Sequence, residues 1–372
     1  KMRAGDTKVI LKNILGKYIP KEYFERPKMG FGFPLDQWLR DDLKEWAESV
    51  KGTNTHLWAQ INHPGRQAME QINSSLKAPS AVPLKTGGRK KTTKKVPEVL
   101  SENEILEIIE AFANTSIILK EAGFSGIQIH GAHGYLVSQF LSPYTNIRKD
   151  KWGGTLENRS RFVVEVYRKI RERVGENFPV GIKLNSSDFQ KGGFSEEESM
   201  EVVKTLSKEG IDLIEISGGT YEAPAMMGKH KESTIKREAY FIDYIEKVRK
   251  ITNTPLMLTG GFRTTSVMRS AIASNKLDII GIARPFAVFP NIGNEIFNES
   301  RANFTTKIKK TGVKAIDGMM NIIWYESQIK RIVQRKKPNL ELSGWSVFFK
   351  YLWLIIEHNL ISKTKKKVSK NV

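Results

Sequence analysis

The stretches "LKEAGFSGIQIHG" (Leu119–Gly131) and "LSKEGIDLIEISG" (Leu206–Gly218) decide how the chain folds. Each reads as the end of a helix, a glycine stop (Gly123, Gly210), a short turn, and an apolar run rich in Ile and Leu. Working outward, similar runs recur: "HLWAQIN" (His56–Asn62), "VGIKLN" (Val180–Asn185), "PLMLTGG" (Pro255–Gly261) and "IIGIAR" (Ile279–Arg284). All are short enough for strands, and their apolar content suits strands covered on both faces. Between them lie helix-period segments with start signals. Ser101 with Glu104, and Ser195 with Glu198, have capping-box spacing ahead of segments that stop at Gly123 and Gly210. Strands alternating with helices predict an α/β fold with a parallel sheet.

A closed barrel and an open doubly wound sheet both satisfy that alternation. Gln60, His130, His133, Lys183, Ser217, Gly260, Gly261 and Arg284 all fall at or just after the carboxyl ends of their runs. In a barrel those ends form one face, where chemistry is placed. No G-x-G-x-x-G follows an early strand, so a nucleotide-binding doubly wound sheet loses its best signature. The pattern predicts a (β/α)8-type TIM barrel. Residues 1–50 show helices and a Pro/Gly-rich loop but no strand. Six strands can be counted from His56 onward where a closed barrel has eight. The barrel is therefore expected to be incomplete, with its first two strands missing.

Composition bounds the chemistry. The 372 residues are 40% hydrophobic, enough for a sizeable core, and contain no cysteine. Thiol nucleophiles, disulfides and cysteine-ligated metal centres are thereby excluded. A net charge of +20 raises nucleic acid and anionic surfaces as partners. Much of the excess sits in "GGRKKTTKKV" (Gly87–Val96) and "SKTKKKVSKNV" (Ser362–Val372), without the interleaved aromatics of a single-strand platform. We expect no specific nucleic acid and only weak contact of the basic tail with anionic surfaces. "WSVFFKYLWLIIEHNLI" (Trp345–Ile361) carries three ionisable groups and is shorter than the about 20 residues of a membrane span. It reads as a packed or interfacial amphipathic helix. No signal peptide is visible, the chain opens on Lys1, and a cytoplasmic location is expected.

The segment "IHGAHGYLVSQFLSPYTNIRKDKWGGTLENRSRF" (Ile129–Phe162) carries the sharpest chemical signal. Two histidines three apart at a strand end could ligate metal, hold a carbonyl or phenolate oxygen, or be satisfied polar residues. Metal needs a third ligand, and no His or carboxylate cluster stands nearby in the sequence. Tyr135 lies two residues beyond His133. A phenol beside two imidazoles suits polarising an oxygen and protonating a carbon.

From "IHGAHGYLVSQFLSPYTNIRKDKWGG", "WAQINHPGRQ" (Trp58–Gln67), "VGIKLNSSDFQKGGF" (Val180–Phe194) and "GIARPF" (Gly281–Phe286), in this order, the chain resembles the Old Yellow Enzyme family. That family comprises FMN-dependent ene-reductases and NADH:flavin oxidoreductases. The resemblance runs from about Leu43 to about Asn339. It implies a ping-pong hydride transfer from NAD(P)H through FMN to an activated, enone-like C=C. His130 and His133 would hold the substrate oxygen, and Tyr135 would deliver the proton to Cα. Gln60 would bond the flavin pyrimidine edge, Lys183 would sit near N1/O2, and Gly260, Gly261, Ala283 and Arg284 would bind the FMN phosphate. Three departures stand out: the early strands, which contact the flavin ring in the family, are not seen; the cysteine-dependent iron–sulfur branch is excluded; and nothing assignable follows Asn339.

"ILGKYIPKEYFERPKMGFGFPLDQWLRDDLKEWAES" (Ile14–Ser49) is similar to the C-terminal end of glutamine-hydrolysing asparagine synthetase, with Lys28 at a phosphate-contacting position. The S-G-G-x-D-S loop and the cysteine nucleophile are absent, so no synthetase activity follows. The expected organisation is a synthetase-like segment over 1–48, an incomplete FMN-binding barrel over 49–340, and an amphipathic helix with basic tail over 341–372. A second reading of the same pattern is a non-enzymatic fusion or misassembled fragment.

Overall fold

The computed structural model describes residues 35–68, 75–86, 92, 93, 95–220, 222, 223 and 238–353. Most of the synthetase-like stretch, the basic run Gly87–Val96 except residues 92, 93, 95 and 96, and the basic tail lie outside the described residues.

Six parallel strands form the main sheet: β1 (Trp58–Ile61), β2 (Gly126–Gly131), β3 (Val180–Asn185), β4 (Leu213–Ser217), β5 (Leu256–Thr259) and β6 (Ile279–Gly281). Each strand pairs with the next one in the chain, from β1 at one edge to β6 at the other. A doubly wound sheet reverses its strand order at a switch point. This order never reverses, so the fold is a curled, incomplete barrel, as the sequence pattern predicts.

The helices between the strands are α2 (Glu102–Ala122), α3 (Leu156–Val174), α4 (Glu196–Glu209), α5 (Ile242–Arg249) and α6 (Thr265–Ala273). Both capping boxes form, with Ser101 and Ser195 each accepting from the backbone N–H three residues on. Gly123 and Gly210 end α2 and α4 at φ of 99° and 90°, a region that favours glycine.

Alternation along the strands sorts the side chains into two faces. Ile127, Ile129, Ile182, Leu184, Ile214, Ile216, Leu256 and Leu258 point toward the helices and are fully buried. Each contributes about 1.5–3 kcal/mol by leaving water. Phe140 stacks on Phe162 in this layer, centroids 4.2 Å apart. The concave face is lined differently. At its floor the indole of Trp58 lies against Gly126 and Gly181, where an added Cβ would come within 2.5 and 3.0 Å of the ring. Above that floor the lining turns polar, with Gln60, Gln128, His130, Lys183, Glu215, Asn185 and Ser217.

Helix α1 (Leu35–Glu48) packs against the barrel rather than standing apart from it: Leu43 and Ala47 join the main core, and Trp46 meets the edge of Phe124 at 6.0 Å. A second, smaller core forms between α7 (Lys314–Val333) and a helix over residues 344–353, around Met320, Trp324 and Val347. Trp324 is fully buried and its Nε1 donates to the Leu342 carbonyl at 2.8 Å. Among the described residues no helix is long and apolar enough to cross a membrane.

The capping box of α4 gives a direct test. Ser195→Ala removes the hydroxyl that accepts from the Glu198 N–H and is expected to lower unfolding stability by about 1 kcal/mol in urea titration. A loss indistinguishable from zero would mean that tertiary packing alone holds the start of this helix.

Candidate active site

The site is built at the carboxyl ends of β2, β3 and β4. His130 is the penultimate residue of β2, and register places it beside Lys183 of β3, itself beside Glu215 of β4. The chain turns sharply after β2, and His133 adopts a left-handed φ of 60°. That conformation is uncommon for a residue with a Cβ, and two contacts hold it. The His133 amide donates to Asn185 Oδ1 at 3.1 Å, and its Nε2 is 2.9 Å from Ser217 Oγ. The imidazoles of His130 and His133 meet edge to face at 5.3 Å, and the Tyr135 ring lies 4.8 Å from His130. Tyr135 is fixed as the N-cap residue of the short helix Leu136–Leu141.

Both imidazoles are neutral at physiological pH. Burial, with the neighbouring His133 and Lys183 charges, brings His130 down to about 3; burial and Lys183 bring His133 down to about 4. Neutral imidazole has one donor and one acceptor nitrogen. The Ala132 N–H donates to His130 Nδ1 at 3.3 Å, so the ring proton of His130 sits on Nε2.

Below the imidazoles, Lys183 Nζ lies 2.9 Å from Glu215 Oε1 in a largely buried pair. Gln128 donates to Glu215 Oε2 at 2.7 Å, and Gln60 donates to Gln128 Oε1 at 2.6 Å. The four side chains form one hydrogen-bonded row across β1 to β4. Gly260 and Gly261 follow β5 at φ of 139° and 90°. The Tyr240 ring lies over Gly261, where a Cβ would approach it to 2.5 Å, so neither position admits a side chain without strain. Ala283 and Arg284 are exposed at the start of a 3-10 turn, Arg284–Ala287, beyond the edge strand β6. The predicted residues thus divide. His130, His133, Tyr135 and Lys183 converge; Gln60 joins them through Gln128; Gly260 and Gly261 stand after β5, and Ala283 and Arg284 lie at the far edge of the sheet.

Two buried hydroxyls, Ser186 Oγ just after β3 and Thr259 Oγ1 at the end of β5, have no hydrogen-bond partner among the described residues. An unmade hydrogen bond on a buried hydroxyl costs about 1–3 kcal/mol. Both sit at the carboxyl ends of the strands; Thr259 shares the face of Met257 and Glu215, whereas Ser186 is in phase with Ile182 and Leu184 and its hydroxyl lies beside Gly218. The orphaned Thr259 hydroxyl and the bare glycine turns fit a bound group that is polar.

Sequence reasoning passed over Gln128, Glu215 and Asn185. Their signal was present: each is a polar residue inside or ending an otherwise apolar run, in phase with His130, Lys183 or Ser217. It also passed over Arg66 and Glu222, a buried ion pair at 2.5 Å that ties the loop after β1 to the segment after β4. Arg66 further donates to the carbonyls of Val82 and Pro83. Asp188 is held by Ser142 at 2.6 Å and by the Phe194 N–H at 3.0 Å, while burial pushes its carboxyl up.

Residues 36–303 match the model of the NADH:flavin oxidoreductase / NADH oxidase family. The chain is 40% identical to the NADH-dependent flavin oxidoreductase nadA of Aspergillus parasiticus, over 69% of this chain and 57% of that one. It is 34% identical to an NADH oxidase of Thermoanaerobacter brockii, over 74% of this chain and 41% of that one. It therefore spans about half the length of these relatives. An old yellow enzyme homologue from Zymomonas mobilis shares the fold, with a TM-score of 0.58 at 23% identity over 71% of this chain and 73% of that one. The family match includes residues 36–48, which the synthetase resemblance had claimed, and that resemblance gains no support from these comparisons. The family's cofactor is FMN, with NADH or NADPH as reductant. In sequence over residues 36–303, and in its unreversed run of parallel strands, this chain belongs to the NADH:flavin oxidoreductase / NADH oxidase family.

Proposed function

We propose that this chain binds FMN and uses NADH or NADPH to reduce the activated C=C of an enone-like small molecule. The observation that carries the reading is the cluster of two neutral imidazoles and a phenol at the carboxyl end of β2, with the His133 and Tyr135 rings 5.3 and 4.8 Å from that of His130 by centroid. When bound, FMN supplies the hydride that adds to the substrate Cβ. The residues supply the rest. His130 Nε2–H donates to the substrate carbonyl oxygen. His133 joins it if the Ser217 hydroxyl donates to Nε2, which places the His133 proton on Nδ1. Two neutral donors stabilise the negative charge growing on that oxygen without surrendering a proton to it. Tyr135 then donates its phenolic proton to Cα, completing addition of hydride and proton across the double bond.

The cofactor contacts follow the same reading. Lys183 places positive charge beside the flavin pyrimidine edge, Gln60 bonds that edge, and Gly260, Gly261, Ala283 and Arg284 hold the phosphate. Thr259 is a further candidate, because its hydroxyl is otherwise unpartnered.

Three outcomes test this. Among the described residues the sheet is open at both β1 and β6, so fewer strand ends would hold FMN than in a closed barrel; the purified chain should lose flavin on gel filtration and regain the visible flavin band on titration. Stoichiometric flavin surviving purification would contradict that. With added FMN and NADH or NADPH, cyclohexenone should stimulate consumption of the reduced nicotinamide. Tyr135→Phe should lower kcat by roughly 10²–10⁴-fold while leaving FMN affinity unchanged. Absence of enone-dependent turnover, or an unaltered kcat in the variant, would sink the assignment. The third outcome is pH-dependent stability. His130 and His133 titrate in the folded chain well below the unfolded value of about 6.5. The unfolded state therefore takes up protons first as pH falls. Stability is whole above about pH 6.5 and declines toward about pH 4, by on the order of 1 kcal/mol per imidazole per pH unit. His130→Asn should show a shallower decline than the parent in thermal unfolding across that window; parallel curves would show that the imidazole is not kept neutral by burial.

A further inference from the structure

We propose that Glu215 is a positioning residue that sets the hydrogen-bonding polarity of Gln60, so that Gln60 presents its carbonyl oxygen, and not its NH2, to the concave face. The proposal rests on Gln60 being a flavin contact, and it specifies which half of the amide makes that contact.

The reasoning uses only the inventory of donors and acceptors. An ionised carboxylate accepts and cannot donate. Glu215 is buried, with Oε1 accepting from Lys183 at 2.9 Å and Oε2 accepting from Gln128 at 2.7 Å. Gln128 must therefore turn its NH2 toward Glu215. Its carbonyl oxygen is then left facing β1, where it can only accept, and Gln60 must turn its own NH2 inward to donate at 2.6 Å. What remains of the amide is the second N–H of its inward-turned NH2 and Gln60 Oε1, which has no hydrogen-bond partner among the described residues and sits on an exposed side chain. It is an acceptor aimed away from the row. Such an acceptor selects a ring N–H, as in the imide edge of a flavin, and repels a second carbonyl.

Register makes the row possible. Gln60 and Gln128 are direct neighbours on β1 and β2, and Lys183 and Glu215 are direct neighbours on β3 and β4. The β3 residue beside Gln128 is Gly181, so no side chain stands between Gln128 and Glu215. A charge fixed in the fourth strand thus determines the orientation of an amide in the first, through obligatory donor–acceptor matching rather than through its field.

The test is a charge swap. Glu215→Gln lets the row reverse: the new amide accepts from Lys183 and donates to Gln128 Oε1, and Gln60 is left presenting NH2. The double variant Glu215→Gln with Gln128→Glu restores a carboxylate beside Gln60, satisfies every group in the row, and returns Gln60 to its original orientation. FMN titration followed by flavin fluorescence should show Kd raised by about tenfold or more in Glu215→Gln. The double variant should bring it back to near the parent value, although it lacks the Lys183 ion pair. If the double variant binds FMN as poorly as the single, the ion pair matters and the polarity does not.

A second readout needs no FMN. In the apo chain labelled with nitrogen-15 glutamine, the Gln60 side-chain amide resonance should lie in the hydrogen-bonded range, move out of it in Glu215→Gln, and return in the double variant. An unmoved resonance overturns the proposal even if FMN binds. If the parent binds no FMN but the resonance behaves as stated, the cofactor reading fails and the polarity relay stands. Should Glu215→Gln not fold, Gln128→Leu cuts the row while keeping the Lys183–Glu215 pair, and the Gln60 resonance should then match that of an unbonded amide.

Discussion

The fully buried outer face of the six parallel strands is the constraint on which the rest of the molecule depends. Ile127, Ile129, Ile182, Leu184, Ile214, Ile216, Leu256 and Leu258 all point toward the helical layer, and none retains measurable exposure. Because side chains alternate along a strand, committing these residues outward commits their neighbours inward. A slip of one residue in β2 would bury Gln128 and His130 under α2 and turn Ile127 and Ile129 into the concave face. The apolar layer therefore sets the register, and the register aligns His130, Lys183 and Glu215 in one row.

That row departs from the usual lining of a closed barrel, where layered apolar side chains fill the interior. Here the floor is filled by Trp58 over two glycines, and across β1 to β4 the lining above it is polar, while Met257 and Ile279 continue the same face on β5 and β6. The polar groups satisfy one another almost completely: Lys183 by Glu215, Glu215 by Gln128, Gln128 by Gln60, His133 by Ser217 and Asn185. Such a network is stable because each buried donor finds an acceptor. The exception on this face is Thr259, whose buried hydroxyl has no hydrogen-bond partner among the described residues. Neutral imidazoles follow from the same setting, since burial beside the Lys183 ammonium disfavours a further positive charge.

Much of this was legible in the residues. The runs "GIQIHG" and "VGIKLN" coincide with β2 and β3 end to end, and both capping boxes and both glycine stops form where the sequence places them. These features are local. A Ser three residues before a Glu satisfies helix-end donors wherever the helix packs. The pairings Lys183–Glu215, Gln60–Gln128 and Arg66–Glu222 join residues 32, 68 and 156 positions apart. No local pattern encodes such distances. Residues 36–48 show the same limit: an amphipathic helix such as "LDQWLRDDLKEWAE" suits many proteins, and it is the family match and the packing of Leu43 and Ala47 on the barrel core that join it to the barrel.

By itself, the sequence determined the alternation of strand and helix, the ends of the helices, and the identity of the groups at the strand ends, because each depends on neighbours within a few residues. The tertiary structure decided which of those groups meet. It brought His130, His133 and Tyr135 into contact, gave Lys183 a carboxylate partner, and left Ala283 and Arg284 beyond the opposite edge strand. The physical reason is that hydrogen-bond partners across a sheet are chosen by strand order and register, and these are properties of the assembled layer rather than of any segment within it.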